Sequence, residues 1–255
     1  MLSVVVLTLN EARHIAACLE SVRALADELV VFDSHSEDAT PILASQIGAT
    51  VYQRRFDNYP CQRNAALDAA RGDWVFFIDA DERADEAVAA EIRAAIVQAG
   101  QHSDAPVLYW IPRKNYIWGK WIRHTGWSPD YQPRLMYKAK VHFDPTRVVH
   151  ELALAEGGEG YLRAPLTHFN YETLAQFRAR QLSYTRMEAQ ILFEQGIRPH
   201  RRGLIGQPVR EFVRRFLTLE GYKDGGHGLA LSVGMAYYVY VRQRMLAQMW
   251  RASLR

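Results

Sequence analysis

Cysteine is scarce in this sequence. The two cysteines, Cys18 and Cys61, do not form a Cys-x-x-Cys pair. Two such residues cannot build a disulfide framework, and no spacing typical of a zinc site is present. These absences argue against a disulfide-stabilised secreted scaffold and favour a reducing compartment.

Long hydrophobic runs are also missing. The longest apolar stretch, Leu229 to Val241, has thirteen residues, whereas a membrane-spanning helix needs about 20. The first residues, Met1 to Leu9, lack a basic start and are followed by Asn10 and Glu11 rather than by small residues. We therefore expect neither a spanning helix nor a signal peptide.

The composition is that of an ordinary folded protein, but its charge is divided unevenly. The 255 residues are 49% hydrophobic and 23% charged, which excludes a disordered or collagen-like chain. The overall net charge is +3, made up of −6 over residues 1–175 and +9 over residues 176–255. This asymmetry predicts two parts with different tasks.

Strand and helix patterns alternate through the first 110 residues, which predicts an α/β fold with a mostly parallel sheet covered by helices on both faces. Asn10 and Ser36 are the expected caps of the first two helices. The expected strands are Ser3–Leu9, Glu28–Phe32, Thr50–Gln53, Trp74–Ile78 and Val107–Ile111, and further helices are expected over Asn64–Ala70 and Ala84–Gln98.

The remainder divides into an irregular segment and a helical tail. Residues 112 to about 170 are rich in Trp, Tyr, His and Pro, and long irregular segments in compact domains are usually functional. Helical patterns then cover Thr173–Glu194, Val209–Leu219 and Leu229–Trp250. We therefore predict a catalytic domain over residues 1–172, with the acceptor region at about 112–172, and a basic helical extension over residues 173–255.

Polar clusters fall where the predicted strands end, and ligands of open parallel sheets bind at the carboxyl ends of strands. The most informative cluster is Asp79-Ala80-Asp81, which follows an apolar strand. One carboxylate can hold Mg²⁺ or Mn²⁺ while the other holds a ribose or a second water. The alternative is a solvated loop with acids that cap the next helix. The other clusters are Thr8, Asn10 and Glu11, then Asp33, Ser34 and Ser36, and finally Arg113, Lys114 and Asn115.

Two further residues allow two interpretations each. Asp33 can accept a hydrogen bond from a base or ribose, or it can cap a helix. Ser36 is the better cap, which would leave Asp33 free. Arg63 can hold a pyrophosphate through charge-assisted hydrogen bonds, or it can be a solvated surface side chain.

The motifs taken together resemble the family 2 glycosyltransferases, which have the GT-A fold and use nucleotide sugars. Later segments are similar to the lipopolysaccharide core β-glucosyltransferase-like branch of that family. The first resemblance rests on Thr8-Leu9-Asn10-Glu11, Asp33-Ser34, Gln62-Arg63-Asn64 and Phe77 to Glu82, and the second on Gly126 to Leu135, Val149-His150-Glu151 and Gly221 to Gly228.

This resemblance implies an inverting enzyme that moves a hexose, glucose in the related branch, from a UDP-sugar to a lipid-linked saccharide such as the lipopolysaccharide core. It implies a Mn²⁺ or Mg²⁺ cofactor on the Asp79/Asp81 pair, with Asp81 as the direct ligand. The metal offsets charge on the departing diphosphate. The other donor-site residues that it implies are Thr8, Asn10, Glu11, Asp33, Arg63 and Arg134.

Inversion needs one general base that deprotonates the acceptor hydroxyl. Glu151 is the first choice, and Asp130 is the rival. His150 is either a further metal ligand or a structural residue. Arg134 either holds the leaving phosphate, orients Asp130 or forms a buried structural pair.

The aromatic residues and the basic tail suggest where the acceptor binds. Trp118, Trp121 and Trp127 are candidates for a wall against acceptor sugars, with ordinary packing as the alternative. Arginines interleaved with apolar residues in the tail suit an anionic membrane surface, with packing on the catalytic domain as the alternative. We expect a peripheral protein on the cytoplasmic face of the membrane that binds no nucleic acid.

Two other functions are consistent with parts of the sequence. One is a non-catalytic, membrane-associated binding protein with a GT-A-like fold. The other is a nucleotidyltransferase, which would normally have a glycine-rich, basic loop after the first strand. Thr8-Leu9-Asn10-Glu11 is neither glycine-rich nor basic, so this sequence does not favour it.

Overall fold

The computed structural model describes residues 1–102, 104–146, 152–200 and 202–253. The chain divides into two compact units, Met1–Arg113 with Asp130–His168 and Lys114–Pro129 with Phe169–Arg255. This division differs from the predicted one, because segment 114–129 groups with the C-terminal helices. The reason is packing: Ile117 and Ile122 share an apolar cluster with Tyr171, Phe177 and Leu231.

The first unit alternates strands and helices over its first hundred residues, as the sequence predicts. Apolar residues at helical spacing bury one face of each longer helix, and short β-branched runs form the strands. The elements are β1 (Leu2–Thr8), α1 (Ile15–Val22), β2 (Glu28–Asp33), α2 (Thr40–Gln46), β3 (Thr50–Gln53), α3 (Tyr59–Ala69), β4 (Trp74–Phe77), β5 (Glu82–Arg83) and α4 (Glu86–Gln101).

Four of these strands form a parallel sheet in the order β3-β2-β1-β4. Both faces of β1 are covered: Val4 and Val6 belong to the apolar layer that contains α1 and α4, whereas Val5 belongs to the layer that contains α3. Such two-sided burial is typical of parallel sheets flanked by helices. The carboxyl ends of β1, β2 and β4 therefore lie at one edge.

The segment predicted to be irregular forms short strands instead, so that expectation is wrong. β8 lies between β4 and β6 and pairs antiparallel with both. Pro112 and Pro133 lie within paired strands, and prolines there resemble loop signals in a single sequence. The strands are β6 (Leu108–Ile117), β7 (Lys120–Trp121), β8 (Tyr131–Tyr137), β9 (Val141–Phe143), β10 (Ala153–Ala155), β11 (Glu159–Tyr161) and β12 (Leu166–Tyr171).

The second unit carries the predicted C-terminal helices. α5 (Leu174–Glu194) begins with a capping box formed by Thr173 and Gln176. α6 (Gly203–Val213) starts earlier than predicted and continues as a π-helical turn, Arg214–Thr218, before α7 (Gly226–Ala252). Across the described ranges, no helix combines the length and the apolar character needed to cross a membrane.

Candidate functional site

Asp33 lies at the carboxyl end of β2, directly opposite Thr8 at the end of β1. Its fully buried carboxylate accepts a hydrogen bond from Thr8 Oγ1 at 3.0 Å and two from Ser36, from the backbone N–H at 2.8 Å and from Oγ at 2.5 Å. The expectation that Ser36 caps α2 and leaves Asp33 free is therefore wrong. Ser36 is held by Asp33, and α2 begins only at Thr40.

Asn10 and Glu11 join the loop after β1 to the loop after β2. The Asn10 N–H donates to Ser36 Oγ at 2.8 Å, and Asn10 Oδ1 accepts from the Glu37 N–H at 2.9 Å. The Glu11 N–H donates to Thr40 Oγ1 at 2.8 Å. Asn10 has a φ of 57° and does not cap α1, so that expectation is also wrong, because its side chain binds the neighbouring loop instead.

Arg63 lies in the first half of α3, behind the Asn58 cap. Its guanidinium carbon is 5.0 Å from the ring centre of Phe77 and 5.5 Å from that of Phe143, a cation–π arrangement on two rings. The side chain is half-buried, and its charge helps to lower the pKa of Asp79. Arg63 is therefore not a fully solvated side chain, and its role in phosphate binding stays a prediction.

Asp79 follows β4 and is held by Arg134 from β8. Both guanidinium Nη atoms donate to the Asp79 carboxylate, and Nη2 also donates to Glu82 Oε1 at 2.6 Å. Desolvation raises the pKa of Asp79, but the Arg134 guanidinium outweighs it and holds that pKa well below its usual range. Burial raises the pKa of Glu82, and the Asp79 carboxylate raises it further while Arg134 opposes both.

Asp130 is engaged by a second arginine. Arg113 Nε and Nη2 lie 2.8 and 2.7 Å from Asp130 Oδ2, and Gln132 Nε2 donates to Oδ1 at 2.8 Å. The same guanidinium reaches Glu82 at 3.4 Å and Asp79 at 3.9 Å. Of the alternatives for Arg134, the structure shows a buried pair with Asp79 and Glu82, whereas Asp130 is oriented by Arg113.

Asp81 has a different environment from Asp79, although only Ala80 separates them. Its carboxylate lies 3.5 Å from His168 Nε2, and no contact with a guanidinium is seen among the described residues. His168 is buried on β12, where it pairs with Glu82 in the sheet register. No group of three or more His, Cys, Asp or Glu side chains gathers as a metal site in the described residues. Asp81 therefore offers carboxylate oxygens that Arg134 does not occupy.

Two of the predicted residues, Glu151 and His150, lie outside the described residues. Their assignments as general base and as metal ligand stay predictions.

The three predicted acceptor tryptophans lie in the second unit. Trp118 and Trp127 pack against the apolar cluster of Ile117 and Phe177, as the packing alternative expects. Trp121 instead lies under Arg123, whose guanidinium carbon is 4.0 Å from the ring centre. A role in acceptor binding stays a prediction for all three.

The ion pairs around Asp79 form one charged cluster, which consists of Asp79, Asp81, Glu82, Arg113, Asp130, Arg134 and His168. Two of its members, Glu82 and His168, were not predicted as site residues from the sequence. Glu82 follows Asp81 directly, and an acid beside an Asp-x-Asp pair was a usable signal. His168 gave none, because it is a single histidine far along the chain that only the pairing of β12 with β5 brings near. The cluster combines hard carboxylate oxygens with guanidinium groups, so it can bind a divalent cation beside phosphates.

The sequence model described as "Glycosyl transferase family 2" matches residues 3–154. That range contains every member of the charged cluster except His168.

Two curated relatives match along nearly the whole chain. "Lipopolysaccharide core biosynthesis glycosyltransferase LpsC" of Rhizobium meliloti (strain 1021) is 28% identical, over 97% of this chain and 92% of its own length. "Uncharacterized glycosyltransferase RC0292" of Rickettsia conorii (strain Malish 7) is 33% identical, over 97% of this chain and 90% of its own.

Among solved structures, the crystal structure of S. aureus TarS 1-349 in complex with UDP is 15% identical, with a TM-score of 0.49. The match covers 99% of this chain and 91% of that one. A longer TarS chain is matched over only 39% of its length.

Proposed function

The chain belongs to glycosyl transferase family 2, and we propose that it transfers a hexose from a UDP-sugar to a lipid-linked saccharide with inversion at the sugar carbon. Family membership and the sheet order confirm the predicted GT-A fold and enzyme class. They set aside the nucleotidyltransferase alternative. The similarity to LpsC, a protein named for lipopolysaccharide core biosynthesis, supports a core saccharide as acceptor. Glucose is the hexose that we propose.

One observation carries this proposal: the two carboxylates of Asp79-Ala80-Asp81 are held differently. Arg134 binds Asp79 through both Nη atoms, whereas Asp81 faces the His168 ring. Hard oxygen ligands suit Mn²⁺ or Mg²⁺, so the residues present fit such a cation, with Asp81 as the ligand. When bound, the cation offsets negative charge on the departing diphosphate.

The surrounding residues of this site position the donor. Arg63 supplies a half-buried positive charge for the pyrophosphate. Thr8, Asn10 and Glu11 lie in or next to the loop that Asp33 and its hydrogen bonds shape for the nucleotide. Because these groups are held before the donor binds, little reorganisation is needed during the reaction.

For the general base we propose Glu151, which takes the proton from the acceptor hydroxyl. Asp130 is the weaker candidate because both of its carboxylate oxygens are already engaged, Oδ2 by a hydrogen bond and ion pair with Arg113 and Oδ1 by a hydrogen bond from Gln132. Asp130 then acts by orienting Arg113 toward Glu82 and Asp79.

The acceptor is membrane-linked, so we place the protein on the cytoplasmic face of the membrane. The net charge of +9 over residues 176–255 supports attraction to anionic lipids. Trp121, stacked by Arg123, is the aromatic residue that we propose to face acceptor sugars.

The test is thermal stability in a panel of nucleoside diphosphates with and without Mn²⁺, followed by transfer assays with UDP-sugars. Binding to the folded state raises Tm by mass action, so UDP with Mn²⁺ should raise it and UDP alone should not. The substitution Asp81→Asn should remove the Mn²⁺-dependent shift and lower transfer at least about a hundredfold. Asp68→Asn, an exposed acid on α3, is the matched control and should change neither.

No Tm shift with any nucleotide would overturn the UDP-sugar proposal. A normal metal-dependent shift in Asp81→Asn would overturn only the metal assignment.

A further inference from the structure

α6 presents an apolar face that the described protein does not cover. None of its side chains is buried, although its apolar residues recur at helical spacing. The exposed residues lie four apart, and the stripe continues into the π-helical turn. We call Ile205, Val209, Val213 and Leu217 the α6 stripe.

The α6 stripe is wider than these four side chains. Phe212 and Phe216 lie on the same face, half-buried and stacked with their ring centres 5.3 Å apart. By contrast, α1 buries Ile15, Leu19 and Val22, which are four and three residues apart and also lie on one helix face. The α6 stripe thus has the pattern of a core-facing helix without the covering core.

Arginines border the α6 stripe. Residues 195–219 contain six arginines and one acid, Glu211. Glu211 accepts from Arg214 at 2.8 and 2.9 Å and from Arg215 at 2.5 Å. Arg202 and Arg210 are exposed, and no ion pair engages them within the described ranges. The border of the stripe therefore carries a surplus of positive charge.

We propose that the α6 stripe is the membrane-docking surface of this protein, lying in the interface of an anionic bilayer with Arg202 and Arg210 against lipid phosphates. An apolar helix face bordered by arginines is the arrangement by which interfacial helices bind such surfaces. A second copy of the chain is a poorer occupant, because apposed stripes would bring like charges together. The inference deepens the proposed membrane location, on which it rests.

The test is sedimentation with vesicles of phosphatidylcholine alone or mixed equally with phosphatidylglycerol, without nucleotide or acceptor. We expect binding to the anionic vesicles only. The double substitution Ile205→Glu with Val209→Glu should weaken that binding about tenfold or more. Each of Arg202→Gln and Arg210→Gln should weaken it about fivefold, and added salt should reduce the difference between them and wild type.

The matched control is Ile42→Glu with Val97→Glu, which makes the same residue and charge changes on α2 and α4. The exposures are comparable: 74% and 55% for Ile205 and Val209, and 61% and 59% for Ile42 and Val97. Equal loss in both pairs, or no loss in the α6 pair, would overturn the proposal.

Light scattering at several protein concentrations tests whether a second copy of the chain, rather than a membrane, covers the α6 stripe. A dimer that dissociates in the α6 pair, without any vesicle binding by wild type, would identify a self-association surface and overturn the proposal. The Mn²⁺-dependent UDP shift is measured on the same variants and should be unchanged. Loss of vesicle binding is thereby separated from failure of the glycosyltransferase assignment.

Discussion

Two groups of carboxylates, the Asp79/Glu82 pair in the first unit and Asp224 in the second, are held in different ways. In the first unit, Asp79 and Glu82 share the guanidinium of Arg134. In the second unit, Asp224 is buried like Glu82, but its carboxylate accepts hydrogen bonds from the loop at residues 123–125. Its donors are the backbone N–H groups of Arg123 and His124 at 3.2 and 2.9 Å, with Thr125 Oγ1 at 3.2 Å and the His124 ring at 3.3 Å.

This difference separates a reactive cluster from a structural one. The charges of Asp79, Glu82 and Arg134 lie where β4 ends and the donor is expected, whereas the Asp224 carboxylate is occupied by hydrogen bonds from residues 123–125. The turn that carries Asp224 into α7 is tightly packed, because a Cβ added at Gly228 would lie 1.8 Å from the Gly221 carbonyl oxygen and 3.1 Å from Asp224 Cβ. We therefore expect changes in the first cluster to alter ligand binding and stability, and changes around Asp224 to alter stability alone.

The largest expected effect comes from Arg134→Met. It removes the closer of the two guanidinium groups that Asp79 and Glu82 share and leaves only the more distant Arg113, and loss of a partner from such a buried pair costs about 3–5 kcal/mol of unfolding free energy. Arg23→Met is the control, because it breaks a 3.2 Å ion pair with Glu20 in which the two side chains are 61% and 54% exposed. It should lower the unfolding free energy by less than about 1 kcal/mol. Urea denaturation measures both free energies, and equal losses would mean that burial of the Arg134 ion pairs adds nothing to stability beyond an exposed pair.

Asp224→Asn should have the next largest effect. The amide keeps the shape of the carboxylate but accepts through one oxygen only, so part of the loop is left without its acceptor, at about 1–3 kcal/mol. Nucleotide binding should be unaffected, as read from the rise in Tm with UDP and Mn²⁺. Loss of that rise at full stability would mean that Asp224 acts on the ligand rather than on its own loop.

The smallest effect is a pH dependence that compares Glu28 with Glu211. Burial raises the pKa of Glu28, but hydrogen bonds from Ser3 and Arg71 outweigh it and lower that pKa. The pKa of Glu211 is lowered in the same way, where Arg214 and Arg215 outweigh burial. A lowered pKa in the folded state gives stability that is present above the ordinary value, about 4.3, and is lost as pH falls below it.

Glu28→Gln should therefore lower Tm at pH 7, and its difference from wild type should shrink below about pH 4. Glu211→Gln should show the same pH dependence with a smaller difference in Tm from wild type. The Glu211 side chain is 17% exposed, against 4% for Glu28, so solvent screens its ion pairs with Arg214 and Arg215 more strongly. A difference that grows on acidification would mean that the sign of these pKa shifts is wrong.

The sequence was most informative where structure depends on neighbours in the chain. The Asp79/Asp81 pair was located at a strand end because an apolar run leads into it, and α5 was bounded by Thr173 and its own capping box. The sequence was least informative about the hydrogen-bond partners of hydroxyl and amide side chains. Asn and Ser are residue types that commonly cap helices, yet the Asn10 N–H donates to Ser36 Oγ, 26 positions away. A contact at that separation cannot be predicted from a local sequence pattern.

The periodicity of apolar residues by itself determined that this chain alternates strands and helices, and the strand-end carboxylates indicated its chemistry. Only the tertiary structure decided which polar groups became partners: Arg134 meets Asp79 from 55 residues away, and His168 meets Asp81 through the pairing of β12 with β5. It also decided that the apolar face of α1 is covered and that of α6 is not. The physical reason is that helical spacing depends on residues three or four positions apart in the sequence, whereas burial depends on which distant elements pack against a face.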